Sequence, residues 1–303
     1  MLHPARTHRI ESELIDRFGL TISMLRLDEM HPEIGGNKWF KLKYNIEEAK
    51  RNKAKGIITF GGAFSNHIAA TAAAGRLFGI PTIGIVRGEE RAAENPTLKD
   101  AAANGMQLHF ISREDYARRY EDEFLRELRR KFDGYFFVPE GGNNLNGIRG
   151  AIEIVSKIAV PFDVLTTAVG TGSTLAGMTF GLQGNQEVIG FSALKGAGDL
   201  DNHIDEKISE FQFSGMDGSR LTPGKWTLNH EFHFGGYAKR SDELLLFTEQ
   251  FYFAHGVQLD YVYTAKMMFG LSELVAQGYF TPGTRIVAVH TGGLQGNRGY
   301  SSL

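Results

Sequence analysis

The 303-residue chain contains no cysteine. That excludes disulfides, thiolate metal sites and a cysteine nucleophile together. It also agrees with a reducing compartment, so the cytoplasm is the expected location. Charge excess is missing as well: 33 lysines and arginines stand against 35 acidic residues, a formal balance of −2. Nothing in that balance draws the chain to nucleic acid or to an anionic membrane. The opening stretch, "MLHPARTHRIESELIDRFGL", has no apolar run able to serve as a signal-peptide core. The least charged long stretch, residues 164–182, is too rich in glycine and hydroxyls for a membrane helix. Repeats and low-complexity segments are absent, which argues against solenoids and linker-rich arrays.

What is present is a recurring unit: a short β-rich run, a glycine-containing turn, then a helical segment. "GIITF" (56–60) precedes "GGAFSNHIAATAAAGRLFG", and "PTIGIV" (81–86) precedes "NPTLKDAAANG". "QLHFI" (107–111) leads into a heavily charged amphipathic segment with Phe124, Leu125 and Leu128 on one side. "GYFFVP" (134–139), "FDVLTTAV" (162–169), "EVIGFSA" (187–193) and "TRIVAVH" (284–290) continue the series. Strands alternating with helices predict an α/β protein of mostly parallel sheets, and near-continuous apolar strands predict helices on both faces. Such sheets bind ligands beyond the carboxyl ends of their strands. Four polar loops fall there, "GGAFSNH", "PEGGNN", "VGTGST" and "HTGG", and together they predict one shared site.

The loop at 170–174, "GTGST", lies between a strand and a helix. Its small residues leave backbone N–H groups open, and Ser173 and Thr174 add hydroxyls, so it suits a phosphate. No Walker lysine follows, which argues against a nucleoside triphosphate. No acidic residue ends the next strand to hold a ribose, so a single phosphate fits better than a dinucleotide. A second feature is "IGGNKWFKLKY" (34–44), which places Lys38, Lys41 and Lys43 behind a Gly-Gly-Asn turn. A phosphate cup and a lysine in a tight turn are what a pyridoxal phosphate site requires: one amine for the cofactor's aldehyde carbon and one anion site.

With these pieces in view, the sequence resembles the fold-type II (tryptophan synthase β-like) pyridoxal phosphate enzymes, specifically the 1-aminocyclopropane-1-carboxylate (ACC) deaminase/D-cysteine desulfhydrase family. The matching motifs are "GGNK" (35–38), "GGAFSNH" (61–67), "GTGSTLAGM" (170–178), "VYTAK" (262–266) and "HTGG" (290–293), in family order over most of the chain. The resemblance implies two α/β domains, a large one from residues 1–43 plus 145–303 and a small inserted one from 44–144. It implies pyridoxal 5'-phosphate bonded to Lys38, whose amine then moves protons at the substrate. Asn66 would hold the cofactor's phenolic oxygen, and Gly170, Thr171, Gly172, Ser173 and Thr174 its phosphate. Ser65, Asn66 and His67 would receive the substrate carboxylate, with Ser65 assisting proton transfer. Tyr237 and Tyr263 correspond to active-site tyrosines, and Thr264 and Thr291 to positions around the pyridine ring. A homodimer acting on a small amino acid is also implied.

ACC deaminases resemble "VYEG" and "HLGG" at the last two motifs and carry glutamine after "SN". This chain has Thr264, Thr291 and His67 there. A threonine cannot protonate the ring nitrogen as a glutamate would, which leaves a weaker electron sink suited to α,β-elimination of a good leaving group. The expected activity is therefore D-cysteine desulfhydration, with ACC deamination as the alternative. A non-catalytic nucleotide- or phosphate-binding protein is the second alternative. Departures from the pattern are "WFKLKY" after Lys38, the missing proline in "LDYVYTAK" and a shorter chain. Lys41 and Lys43 are expected as exposed helix residues and His290 as a structural one. "RRYEDEFLRELRR" (118–130) reads as a solvated face, and "HEFHF" (230–234) as no metal site. Trp39 is the neighbour of Lys38 at which this chain is expected to differ from its relatives.

Overall fold

Seven of the expected strands form, and three more complete the sheets. The structure is a computed structural model describing residues 2–89 and 94–300. The strands are β1 (Arg6–Ile10), β2 (Thr21–Arg26), β3 (Gly56–Gly62), β4 (Thr82–Arg87), β5 (Met106–Ile111), β6 (Tyr135–Val138), β7 (Val164–Val169), β8 (Glu187–Ser192), β9 (Lys225–Asn229) and β10 (Arg285–His290). One sheet runs β1-β2-β10-β7-β8-β9 and the other β5-β4-β3-β6. Every pairing is parallel except β1 with β2. The strands absent from the sequence expectations are β1, β2 and β9, and two of these are sheet edges. The edge strands β1 and β9 keep most side chains partly or fully exposed, so they lack the continuous apolar run that marks a central strand.

The helices are α1 (Glu13–Arg17), α2 (Asn37–Arg51), α3 (Asn66–Phe78), α4 (Pro96–Ala103), α5 (Arg113–Ala117), α6 (Asp122–Lys131), α7 (Leu145–Val155), α8 (Ser173–Thr179), α9 (Leu200–Gln212), α10 (Asp242–His255) and α11 (Thr264–Ala276). They cover both faces of the sheets, and alternation along β10 shows how. Val287 and Val289 enter a core with α7, α8 and α9, whereas Ile286 and Ala288 enter one with α10 and α11. In the second sheet Ile57 faces α2 and α3, while Ile58 and Phe60 face α5 and α6. The charged α6 behaves as its sequence predicts, burying Phe124 and Leu128. Its acidic first turn and basic last turn complement the helix dipole.

Helix α2 joins the two halves. Phe40 packs into the large-sheet core, while Leu42, Ile46 and Ala49 pack beneath the small sheet. It lies so close to α7 that a Cβ added at Gly150 would stand 1.9 Å from the Phe40 carbonyl oxygen. Helix α8 presses on the same helix, since a Cβ at Gly177 would stand 2.4 Å from the Ile148 carbonyl oxygen. The lysine helix and the helix after the phosphate loop thus share α7 as a backing. Among the described residues, no helix is long and apolar enough to cross a membrane.

Candidate active site

Lys38 is the second residue of α2, and the turn before it is pinned backbone to backbone. Gly36 donates its N–H to the Leu27 carbonyl (2.7 Å), and Asn37 donates to the Thr291 carbonyl (3.2 Å). "GGNK" and "HTGG", distant in sequence, are therefore one surface. The Lys38 Nζ donates to Asn37 Oδ1 (2.9 Å), and Asn37 Nδ2 donates to Thr174 Oγ1 (3.0 Å). Asn37 thereby links the amine to the phosphate loop. Burial lowers the Lys38 pKa to about 8, against a smaller raising effect from Asp260. On its other side, Lys38 borders a cavity of about 520 Å³ together with Asn66, Gly292, Gly293 and Gln295. The 170–174 loop is not part of that cavity's wall; it is joined to Lys38 through Asn37.

The expectation that Lys41 is exposed is corrected: the residue is 2 % exposed. Burial holds its amine well below the usual lysine range, and the charges of Lys38 and Lys207 depress it further. No carboxylate offsets it. Its stem lies alongside Gly142, where an added Cβ would stand 3.3 Å from Lys41 Cβ, and a Cβ added at the neighbouring Gly141 would stand 3.2 Å from Thr171 Cγ2 in the 170–174 loop. Lys43 is half-buried and paired with Glu153 (2.8 and 3.0 Å), outside the site.

The 170–174 loop turns out of β7 into α8 through Gly172 (φ 85). The hydroxyls of Thr171 and Ser173 stand 3.4 Å apart, and Ser173 and Thr174 are buried. Lys38 reaches this loop through Asn37, Lys41 lies beside the neighbouring 141–142 turn, and with three hydroxyls they offer a donor set that a phosphate group fits. Hydrogen bonds to charged groups contribute about 1.5–3 kcal/mol, so Lys41→Met is expected to weaken pyridoxal phosphate binding about 10- to 100-fold. Absorbance titration of the apoprotein measures this. Its urea midpoint should hold or rise, because the substitution removes an uncompensated buried amine.

Ser65 caps α3, its Oγ accepting from the N–H groups of His67 (3.2 Å) and Ile68 (3.3 Å). Asn66 faces the cavity, where its Oδ1 accepts from Gln295, and a Cβ at Gly293 would lie 2.4 Å from its Nδ2. His67 departs from its expected role at the substrate carboxylate. Its ring turns inward, with Nε2 2.9 Å from Thr59 Oγ1. Thr59 gives its single hydroxyl proton to the Val138 carbonyl (2.7 Å), so His67 must supply Nε2–H. Nδ1 is then a bare acceptor with no hydrogen-bond partner. Burial, then the charges of Lys38 and Lys41, hold the imidazole well below its usual pKa and keep it neutral.

Tyr237 and Tyr263, remote in sequence, meet edge to face with ring centres 6.2 Å apart. Tyr263 also touches the phosphate loop, since a Cβ at Gly170 would lie 3.1 Å from its Cε1. Burial pushes its phenol well above the usual pKa, helped by Tyr237 and Asp260, so it stays protonated. Thr264 is fully buried and committed to Asp260: its hydroxyl donates to Asp260 Oδ1 (2.7 Å) and accepts from the Asp260 N–H (2.9 Å). The Asp260 carboxylate also receives the N–H groups of Val262, Tyr263 and Thr264, capping α11. Thr291 contributes its carbonyl to Asn37.

His290 is structural: its Nε2–H donates to the Gln258 carbonyl (2.8 Å) and its Nδ1 accepts from Gly292. His230 pairs with Asp201 at 2.6 Å, and His233 Nδ1 accepts from Gly235. Trp39 does not reach the cavity; it stacks on His31 and packs against Phe78. Sequence reasoning missed Lys41, the Asn37 bridge and the Asp260 cap. Only Lys41 left a signal, because three residues along a helix return to nearly the same face as Lys38.

A half-buried lysine with a lowered pKa, linked through an asparagine to a glycine-rich loop between strand and helix in a fold of two mostly parallel sheets, is the arrangement of a fold-type II pyridoxal phosphate enzyme. The chain belongs to the pyridoxal-phosphate dependent enzyme family, which it matches over residues 3–292. Among curated relatives it is 29% identical over 299 residues to the bifunctional D-cysteine desulfhydrase/1-aminocyclopropane-1-carboxylate deaminase, mitochondrial, of Arabidopsis thaliana, covering 92% of this chain and 73% of that one. It is 28% identical over 301 residues to the D-cysteine desulfhydrase of Serratia proteamaculans, covering 93% and 89%. A solved structure described as an ACC deaminase homologue superposes with a TM-score of 0.83 at 25% identity, covering 98% of this chain and 92% of that one.

Proposed function

We propose that the protein is a lyase that takes the α-proton from a small amino acid and expels its β-substituent, with D-cysteine as substrate. Sulfide leaves, and the released aminoacrylate hydrolyses to pyruvate and ammonia. The cofactor, when bound, supplies the electron sink for the α-carbanion. Lys38 is the covalent anchor and, once displaced by the incoming amine, the base at the α-carbon. Its pKa of about 8 leaves a usable free-amine fraction near neutrality. Lys41 and the 170–174 loop hold the phosphate, and Asn66 the phenolic oxygen. The substrate carboxylate meets Ser65 and the start of α3. Tyr263, neutral and packed against the loop, shields that side from water.

The observation that carries this reading is Thr264. The first turn of α11 presents a hydroxyl locked onto Asp260, where a free carboxylate would be needed to protonate the ring nitrogen. Thiolate leaves readily under a weak sink, whereas an unactivated cyclopropane ring does not open. Purified protein is expected to yield pyruvate from D-cysteine and little 2-oxobutyrate from ACC. The Arabidopsis relative is named for both activities, so ACC is the competing substrate. A kcat/KM for ACC equal to that for D-cysteine would overturn the reading of Thr264.

A further inference from the structure

Lys266 is a third lysine of the site region, and neither the covalent chemistry nor the phosphate site uses it. It lies in the first turn of α11, three residues past Tyr263, and is fully buried. Its Nζ donates to two converging carbonyls, those of His233 (2.9 Å) and Gly236 (2.7 Å). Both belong to the irregular loop between β9 and α10 that delivers Tyr237. That loop is strained. Among the described residues three non-glycine residues have positive φ, and two of them, Phe234 (50°) and Ala238 (57°), flank Tyr237. Gly235 and Gly236, at 87° and 112°, lie between Phe234 and Tyr237. Such backbone persists only where its surroundings over-determine it.

The tethers are visible. Lys266 holds the loop before Tyr237. Behind it, Tyr300 Oη donates to the Ala238 carbonyl (2.9 Å), and Arg240 lies over the rings of Tyr300 and Tyr261 at 4.5 and 5.6 Å. Tyr237 itself is 46 % exposed and gains little anchorage from burial of its own. A lysine suits the clamp because one ammonium can satisfy both carbonyls at once, with Asp260 as the nearby counter-charge. An apolar side chain would leave each carbonyl with a single local backbone donor, Gly236 N–H on His233 (2.9 Å) and Lys239 N–H on Gly236 (3.1 Å), and would remove the bond that ties this loop to α11.

We propose that Lys266 is a positioning residue: it holds the 233–238 loop in its strained shape and thereby keeps Tyr237 edge-on to Tyr263 in the site. This rests on the reading of Tyr237 as an active-site residue, so the test separates the clamp from that role. Holoenzyme is prepared as wild type, Lys266→Met, Tyr300→Phe, Tyr237→Phe and Lys266→Met/Tyr237→Phe. Hydrogen exchange is followed on peptides spanning 233–240, beside cofactor absorbance and the kcat and KM for D-cysteine.

Lys266→Met should keep its cofactor, because Lys38 and the phosphate loop are untouched. Exchange in the loop should quicken at least about tenfold while distant helices are unchanged. The kcat should fall roughly 10- to 100-fold, the usual cost of a misplaced group, with KM changing less. In the Tyr237→Phe background Lys266→Met should cost under about threefold more, because residues acting as a unit are not additive. Tyr300→Phe should loosen the same peptides, and it carries the test if Lys266→Met does not fold. Unaltered loop exchange in both tether variants overturns the proposal, as do losses that multiply in the double variant. If Tyr237→Phe alone keeps full turnover while the loop loosens in Lys266→Met, the clamp stands and the role of Tyr237 falls.

Discussion

Lys38→Ala is expected to abolish turnover and to yield protein without the yellow colour of lysine-bound pyridoxal phosphate. Loss of proton transfer alone removes about 10²- to 10⁴-fold of rate, and loss of the covalent anchor adds to it. The structure makes this a sharper test than the sequence did, because the competitor is now known. Lys41 shares the helix face and is buried, and its pKa is depressed as well, whereas Lys43 is tied to Glu153. Retained colour in Lys38→Ala would transfer the chemistry to Lys41. The amine of Lys38 is also expected to set a pH dependence. Attachment needs the neutral amine, which is the minor form below the pKa. The rate at which apoprotein becomes coloured should therefore rise with pH and level off above about 8. An unperturbed lysine would keep accelerating toward about 10.4.

Gly36→Ala is expected to destabilise the protein by roughly 2–5 kcal/mol. A left-handed backbone costs an L-residue about 1–2 kcal/mol, and forcing atoms into a packed site typically costs about 1–3 kcal/mol more. Both apply, since Gly36 has φ 78 and its Cβ would stand 2.0 Å from the Thr291 carbonyl oxygen and 2.8 Å from Gly292 Cα. Those are backbone atoms, and the Leu27 and Thr291 hydrogen bonds prevent the turn from sliding away. Because Lys38 hangs from the same turn, cofactor occupancy should fall together with the urea midpoint. A variant within about 0.5 kcal/mol of wild type, the range of an ordinary surface substitution, and fully coloured would show that the two motifs do not need this contact.

Seven of the strands in the two sheets were legible from their apolar runs, five of them central and two, β5 and β6, at the edges of the small sheet, whereas the central β2 was missed. The edge strands β1 and β9 were missed as well, since their half-solvated residues carry no such run. The glycine-rich motifs were legible for a related reason: backbone must approach backbone at 36 and 292, and that demand is written in residue type. Side-chain direction was another matter. His67 follows Asn66 by one position, yet only the distant Thr59 and Val138 turn its ring inward. Trp39 stands beside Lys38 in sequence, but one residue is about 100° around a helix, and the ring goes to His31 and Phe78 instead. Lys41 is the instructive miss, because its spacing placed it on the Lys38 face and its charge argued for solvent. Geometry overrode charge, since the helix turns Lys41 inward.

By itself the sequence determined the parallel α/β architecture, and through the resemblance of its motifs to a known family it gave the cofactor. The first follows from periodicity and the second from short glycine-rich motifs, which are local properties. Only the tertiary structure decided which lysines are stripped of water, which tautomer His67 keeps, that Thr264 spends its proton on Asp260, and that Lys266 holds the loop of Tyr237. The Lys266 clamp spans 33 and 30 residues and the His67 tautomer depends on Val138, while the Thr264–Asp260 pair spans only four residues and the lysines depend on which helix face is buried. Burial and hydrogen-bond assignment are settled only once the chain has packed.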